Sequence, residues 1–154
     1  MNIRKATIDD IDILIKLRID YLLADNGNLT TDEKNAIRSQ LTTYFSKHIN
    51  HDFIAILAET DNNILSTAFL AISEKPANPA FITGKTGTLL NVLTYPEYRR
   101  IGIASRVISK IIDEAKQLGV SSINLSATKE GKPLYEKLGF TESPKYTSMK
   151  MQLV

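Results

Sequence analysis

The 154-residue sequence contains no cysteine. That absence excludes disulfides, cysteine nucleophiles and thiolate metal sites together, and it suits a chain working in a reducing compartment, expected here to be the cytoplasm. Histidine is nearly as scarce. His48 and His51 sit at a predicted helix end with no third partner in the chain, so no metal is expected. No apolar run approaches the roughly 20 residues that cross a bilayer, so no membrane partner is expected either. Met1-Asn2-Ile3-Arg4-Lys5 leads into polar, acidic sequence where a secretory leader would need an apolar core. Charge of one sign is also lacking: 19 Lys and Arg face 17 Asp and Glu, a net charge of +2. Nucleic-acid binders concentrate base on a face or stripe; here it is scattered among acids, and no nucleic-acid partner is expected. No Gly-x-Ser-x-Gly elbow or full dinucleotide fingerprint occurs. Gly84-Lys85-Thr86 resembles the end of a P-loop, but Pro79 stands where the first glycine belongs and a strand pattern follows where a helix is required.

What is present reads as one domain over residues 1–154, with 43% hydrophobic residues to supply a core. Residues 2–6 suit a short edge strand. Thr7 is placed as a helix N-cap with Asp10 as its capping-box acid, and residues 8–24 follow as an amphipathic helix. Asp25-Asn26-Gly27-Asn28 reads as the turn that ends it. Thr30 and Glu33 repeat the capping-box spacing ahead of a second helix carrying Ile37, Leu41, Tyr44, Phe45 and His48 on one face. Residues 53–59 and 64–73 read as two strands joined by a hairpin turn at Asp61-Asn62-Asn63. Residues 86–94 form a further strand stopped by Pro96, residues 103–118 a helix capped by Gly119, residues 120–127 a strand, residues 131–138 a short helix, and residues 147–153 a last strand. A strand–helix–strand unit over 86–127 implies one parallel pair beside an antiparallel hairpin, hence an α+β, α/β/α layered fold with a mixed sheet.

The junction between the 86–94 strand and the following helix has the makings of an anion cradle. A helix N-terminus presents unpaired N–H groups and partial positive charge. Gly102 and Ala104 leave room for a diphosphate to approach them, Ser105 adds a hydroxyl, and Arg99 and Arg100 bring guanidinium groups to the same turn.

Two segments then resemble the GNAT superfamily of N-acetyltransferases. Arg99, Gly102 and Ala104 match its Gln/Arg-x-x-Gly-x-Gly/Ala signature, with Pro96-Glu97-Tyr98 ahead of it. Leu134, Tyr135, Lys137, Gly139 and Phe140 match its Leu-Tyr-x-Lys-x-Gly-Phe ending. The resemblance is specific over 88–140, and the element order extends it over nearly the whole chain. It implies a mostly antiparallel mixed sheet of about six to seven strands with about four helices on both faces.

It also implies roles. Backbone groups of Val92, Leu93 and Thr94 would pair with the pantetheine arm of acetyl-CoA. Amides across Arg100, Ile101, Gly102, Ile103, Ala104 and Ser105 would hold the pyrophosphate, with Arg99 beside them. Thr128 stands where many relatives place an asparagine facing the cosubstrate, and Tyr135 would lie near the sulfur as proton donor.

The expected partners are acetyl-CoA and an amine, with a homodimer as the open question of assembly. Many relatives carry a glutamate base on the strand before the cradle, but residues 86–94 hold no carboxylate. Glu59 or Glu74 acting through water are the candidates, and the base stays unassigned. Tyr21, Tyr44 and Phe45 are candidates either for plain core or for the wall of the acceptor slot. The missing glutamate also leaves open a non-catalytic acyl-CoA sensor.

Overall fold

The computed structural model describes residues 1–61 and 63–154. Its sheet has the order β1-β2-β3-β4-β5, formed by β1 (Asn2–Lys5), β2 (Phe53–Thr60), β3 (Asn63–Glu74), β4 (Lys85–Thr94) and β5 (Ser122–Asn124). The first four strands pair antiparallel and β5 joins β4 in parallel. The helices are α1 (Ile11–Asn26), α2 (Thr31–His48), α3 (Ile103–Gln117) and α4 (Lys132–Lys137). None is long and apolar enough to cross a membrane.

Strand β2 explains the layering. Side chains alternate across a strand, so Phe53, Ala55 and Leu57 enter one core with α1 and α2 while Ile54, Ile56 and Ala58 enter another with α3. Buried on both faces, this strand is an unbroken apolar run. The first core is keyed by Phe45, Phe53 and Phe69, whose ring centroids lie 5.2 to 6.0 Å apart. Each such pair adds about 0.5–1.5 kcal/mol beyond its buried area.

Both expected capping boxes form. Thr30 and Glu33 exchange hydrogen bonds at the start of α2, and Thr7 and Asp10 do so ahead of α1. Asp10 also accepts from Arg4 Nη1 at 2.8 Å and Nη2 at 2.9 Å. Held from two sides, Asp10 divides the helix expected from residue 8: Ile8–Asp10 is a 3-10 turn and α1 starts at Ile11.

Four further expectations need correction. Among the described residues the sheet has five strands, not six to seven. Residues 147–153 form no strand, because their alternating pattern finds no neighbouring edge: Met149, Met151 and Leu153 stay 90%, 80% and 83% exposed. Strand β5 is only three residues long, since it pairs with Thr86–Thr88 and then parts from β4. At the other end of α1, Asp25 and Asn26 belong to the helix, which stops at Gly27 with a φ of 82°. Strands β2 and β3 pair antiparallel as far as Thr60 opposite Asn63; the hairpin turn expected at Asp61-Asn62-Asn63 includes Asn62, which lies outside the described residues.

Candidate acyl-carrier and acceptor site

Where β4 and β5 part, a slot opens. Beyond Thr88 the second edge of β4 is unpaired, and a cavity of about 420 Å³ lies between it and the segment after β5. Val92, Leu93, Thr94, Arg99, Ala104, Thr128 and Tyr135 all line this cavity. Unpaired strand edges present N–H and C=O groups to whatever enters.

A bulge shapes the same stretch. The β3–β4 register runs from Phe69 opposite Leu90 to Thr67 opposite Leu93, so Asn91 and Val92 together face Ala68. Asn91 takes a left-handed φ of 55° and is buried. The extra residue turns two consecutive side chains to one face: Leu90 packs in the α1–α2 core, and Asn91 Nδ2 donates to Leu17 O of α1 at 3.5 Å. Its Oδ1 accepts from Arg18 Nη1 at 3.2 Å.

At the mouth of the slot β4 turns into α3. Arg99 Nε donates to Thr94 O at 2.9 Å, tying the turn to the strand end. Arg100 and Gly102 both adopt left-handed φ values, 64° and 84°. Whereas α2 and the turn before α1 begin with side-chain caps, no side chain caps α3. Its first amides therefore point outward unsatisfied, and a Cβ built on Gly102 would meet nothing within 4 Å. This open, donor-rich turn fits a diphosphate. Ile103 is buried and anchors the helix, whereas Ile101 is exposed. Ser105 lies elsewhere than expected: it lines a depression with Ile3, Arg106 and Asp113, outside the slot. Arg100, Ile101, Gly102 and Ile103 flank the cavity without lining it.

Tyr135 lies on α4, packed edge-on against Phe140 with ring centroids 6.0 Å apart. Burial, and secondarily the Tyr21 phenol, raise its pKa above the usual tyrosine value. Thr128 reaches the slot, but its hydroxyl accepts from Gly131 N at 3.0 Å and so holds the loop before α4.

The two carboxylates suggested by sequence lie elsewhere. Glu59 accepts from Arg4 Nε at 2.7 Å at the β1 edge, and Glu74 pairs in register with Lys85, at the far end of β4 from the cradle. The slot instead receives Asp25 and Tyr21 from α1. The sequence pattern places Asp25 in a turn, whereas it belongs to α1. With the helix running to Asn26, the i, i+3, i+7 spacing of Arg18, Tyr21 and Asp25 puts all three on one face, and that spacing is the signal the sequence carries. Of the aromatic candidates, Phe45 is core, Tyr44 is half-buried beside it, and Tyr21 lines the slot. His48 Nδ1 lies 2.6 Å from Asp52 Oδ1, and among the described residues no group of three or more His, Asp or Glu side chains could hold a metal.

Residues 19–140 match the model of the Acetyltransferase (GNAT) family. The crystal structure of a predicted acetyltransferase with acetyl-CoA from Clostridium acetobutylicum is 32% identical, covers 97% of this chain and 95% of that one, and superposes with a TM-score of 0.83. Glucosamine 6-phosphate N-acetyltransferase of Arabidopsis thaliana is 25% identical over 144 residues, 90% of this chain and 89% of that protein. An uncharacterised N-acetyltransferase of Bacillus subtilis, YitH, is 38% identical over 60 residues, 39% of this chain but only 21% of its own length. By the family match and the Clostridium likeness together, the chain belongs to the acetyltransferase (GNAT) family.

Proposed function

We propose that this protein transfers an acetyl group from acetyl-CoA to a primary amine of a small molecule or peptide. The observation that carries the reading is the uncapped start of α3, open at Gly102 and set at the mouth of the gap between β4 and β5. Main-chain amides from Arg100 to Ala104, with Arg99 beside them, hold the diphosphate. The slot-facing backbone groups of Val92 and Thr94 take the amide-bearing arm, while Leu93, paired with Thr67 of β3, lines the cavity beside them. Ser105, outside the slot, is left to contribute its backbone amide alone, and Thr128 a contact through its loop.

Acetyl-CoA supplies an activated thioester acyl group. A slot-facing main-chain N–H of β4, at Val92 or Thr94, steadies the negative charge that develops on the carbonyl oxygen when an amine attacks, since Leu93 pairs with Thr67 of β3; one such donor is worth about 3–4 kcal/mol. Tyr135 gives a proton to the departing sulfur. Its raised pKa keeps the phenol protonated at neutral pH, so the donor form is fully populated. Asp25, the carboxylate that α1 brings to the slot, takes the proton released by the amine, directly or through water.

The test is titration calorimetry with acetyl-CoA, followed by thiol release across a panel of amines. Binding with turnover on at least one amine is the expected result. Tight binding with no turnover on any amine class would instead make the protein an acyl-CoA sensor.

A further inference from the structure

Arg18 is a cation without a counter-ion. It projects from α1 toward β4, half-buried, and among the described residues it takes part in no ion pair. A guanidinium offers several N–H donors in a planar fork. One is used, on the neutral amide oxygen of Asn91. The Tyr21 ring, its centroid 5.9 Å from the guanidinium carbon, covers part of the group. Burial makes the charged form harder to hold, and Tyr21 and Asp25 offset this only in part. Half-burying a guanidinium without a carboxylate is costly. Pinning Asn91 does not require it, since that side chain also donates to Leu17 O.

Its position gives the charge a use. Arg18 lines a cavity of about 200 Å³ whose other walls include Tyr44, Phe45, Phe69 and Leu90. Leu90 also lines the slot, so the two cavities adjoin across it at the bulge. Tyr21 and Asp25 follow Arg18 on the same helix face and line the slot itself. At about 1.5 Å of rise per residue, Arg18 and Asp25 are roughly 10 Å apart along the axis. A small molecule with its amine by Asp25 and its far end at Arg18 spans that distance.

Resting on the transfer reading above, we propose that the acceptor is a small amine bearing an oxyanion, a carboxylate or a phosphate, and that Arg18 binds that anion and sets acceptor specificity. A planar fork matches either group bidentately.

The experiment compares matched acceptors: amino acids against their primary amides, and aminoalkyl phosphates against the parent amino alcohols. They are assayed with wild type, Arg18→Gln and Arg18→Lys. Wild type is expected to favour the anionic member of a pair by about ten-fold or more in kcat/KM, as a charge-assisted contact provides. Arg18→Gln brings the preference to within about three-fold through KM, with acetyl-CoA affinity unchanged, and Arg18→Lys restores part of it. The pair that discriminates most identifies the anion. NMR titration of the same compounds onto the CoA-bound protein reads binding apart from turnover. If CoA binds but no anionic amine does, or if wild type takes neutral and anionic members alike, the anion site is overturned while the carrier site stands. If CoA itself does not bind, the transfer reading falls and takes this one with it.

Discussion

Replacing Gly102 by valine tests the carrier site against a matched control. Gly102 and Gly119 stand at opposite ends of α3 with φ values of +84° and +75°, and a Cβ at either meets nothing within 4 Å. A β-branched residue there is strained by about 1–3 kcal/mol, and the two variants are expected to share that cost. At about 2–4 °C per kcal/mol for a chain of this size, each should lose roughly 2–12 °C in Tm. They should part in ligand binding. A valine at Gly102 occupies the space in front of the unsatisfied amides and displaces at least two charge-assisted contacts of about 1.5–3 kcal/mol each. Acetyl-CoA affinity should then fall on the order of a hundred-fold or more, while Gly119→Val binds like wild type. Thermal melts and titration calorimetry on the three proteins settle it. Equal affinity in the two variants would refute the assignment of the diphosphate to this turn.

Tyr135→Phe should lower kcat by about a hundred-fold with acetyl-CoA affinity unchanged. Since the protonated phenol is the working form and its pKa is raised, wild-type activity should fall only above the ordinary tyrosine range, and the variant should lack that alkaline limb. Asp25→Asn should reduce kcat by a similar factor in steady-state assays, whereas Glu59→Gln and Glu74→Gln, remote from the slot, should not. Arg4 holds the Asp10 carboxyl below its usual pKa, so the pair stabilises the fold fully above about pH 4 and loses that contribution as pH falls through the depressed value. Asp10→Asn should cost about 1–3 kcal/mol at pH 7 and much less at pH 2, measured by urea unfolding.

The features legible in the sequence are those decided within a few residues. The Thr7–Asp10 and Thr30–Glu33 boxes are local chemistry, and both formed as read. The apolar run of β2 needs no partner to be recognised. The glycine turn ahead of α3 was legible for the same reason, because such a turn before a helix is a short-range pattern. What failed depends on neighbours far along the chain. Residues 147–153 alternate like a strand yet have no edge to join, and β5 is cut short because β4 bends away. Asn91 reads as one more strand residue, and only the pairing with Thr67 and Phe69 reveals the bulge. The spacing of Arg18, Tyr21 and Asp25 shows that they share a face of α1, but not that Asp25 lines the slot or that Arg18 meets Asn91, because both depend on α1 lying over that bulge.

The bulge also means that β4 is one residue longer than its packing asks for. Skip Asn91, and Leu89, Leu90, Val92 and Leu93 fall alternately toward the α3 and α1 sides with no break in rhythm. A chain lacking that asparagine would run straight and pair fully with β3. The fold thus carries a surplus amino acid in its middle, tolerated at the expense of a smooth ladder. A deletion variant that stayed folded but closed the cleft would show that shape, rather than stability, is what the asparagine provides.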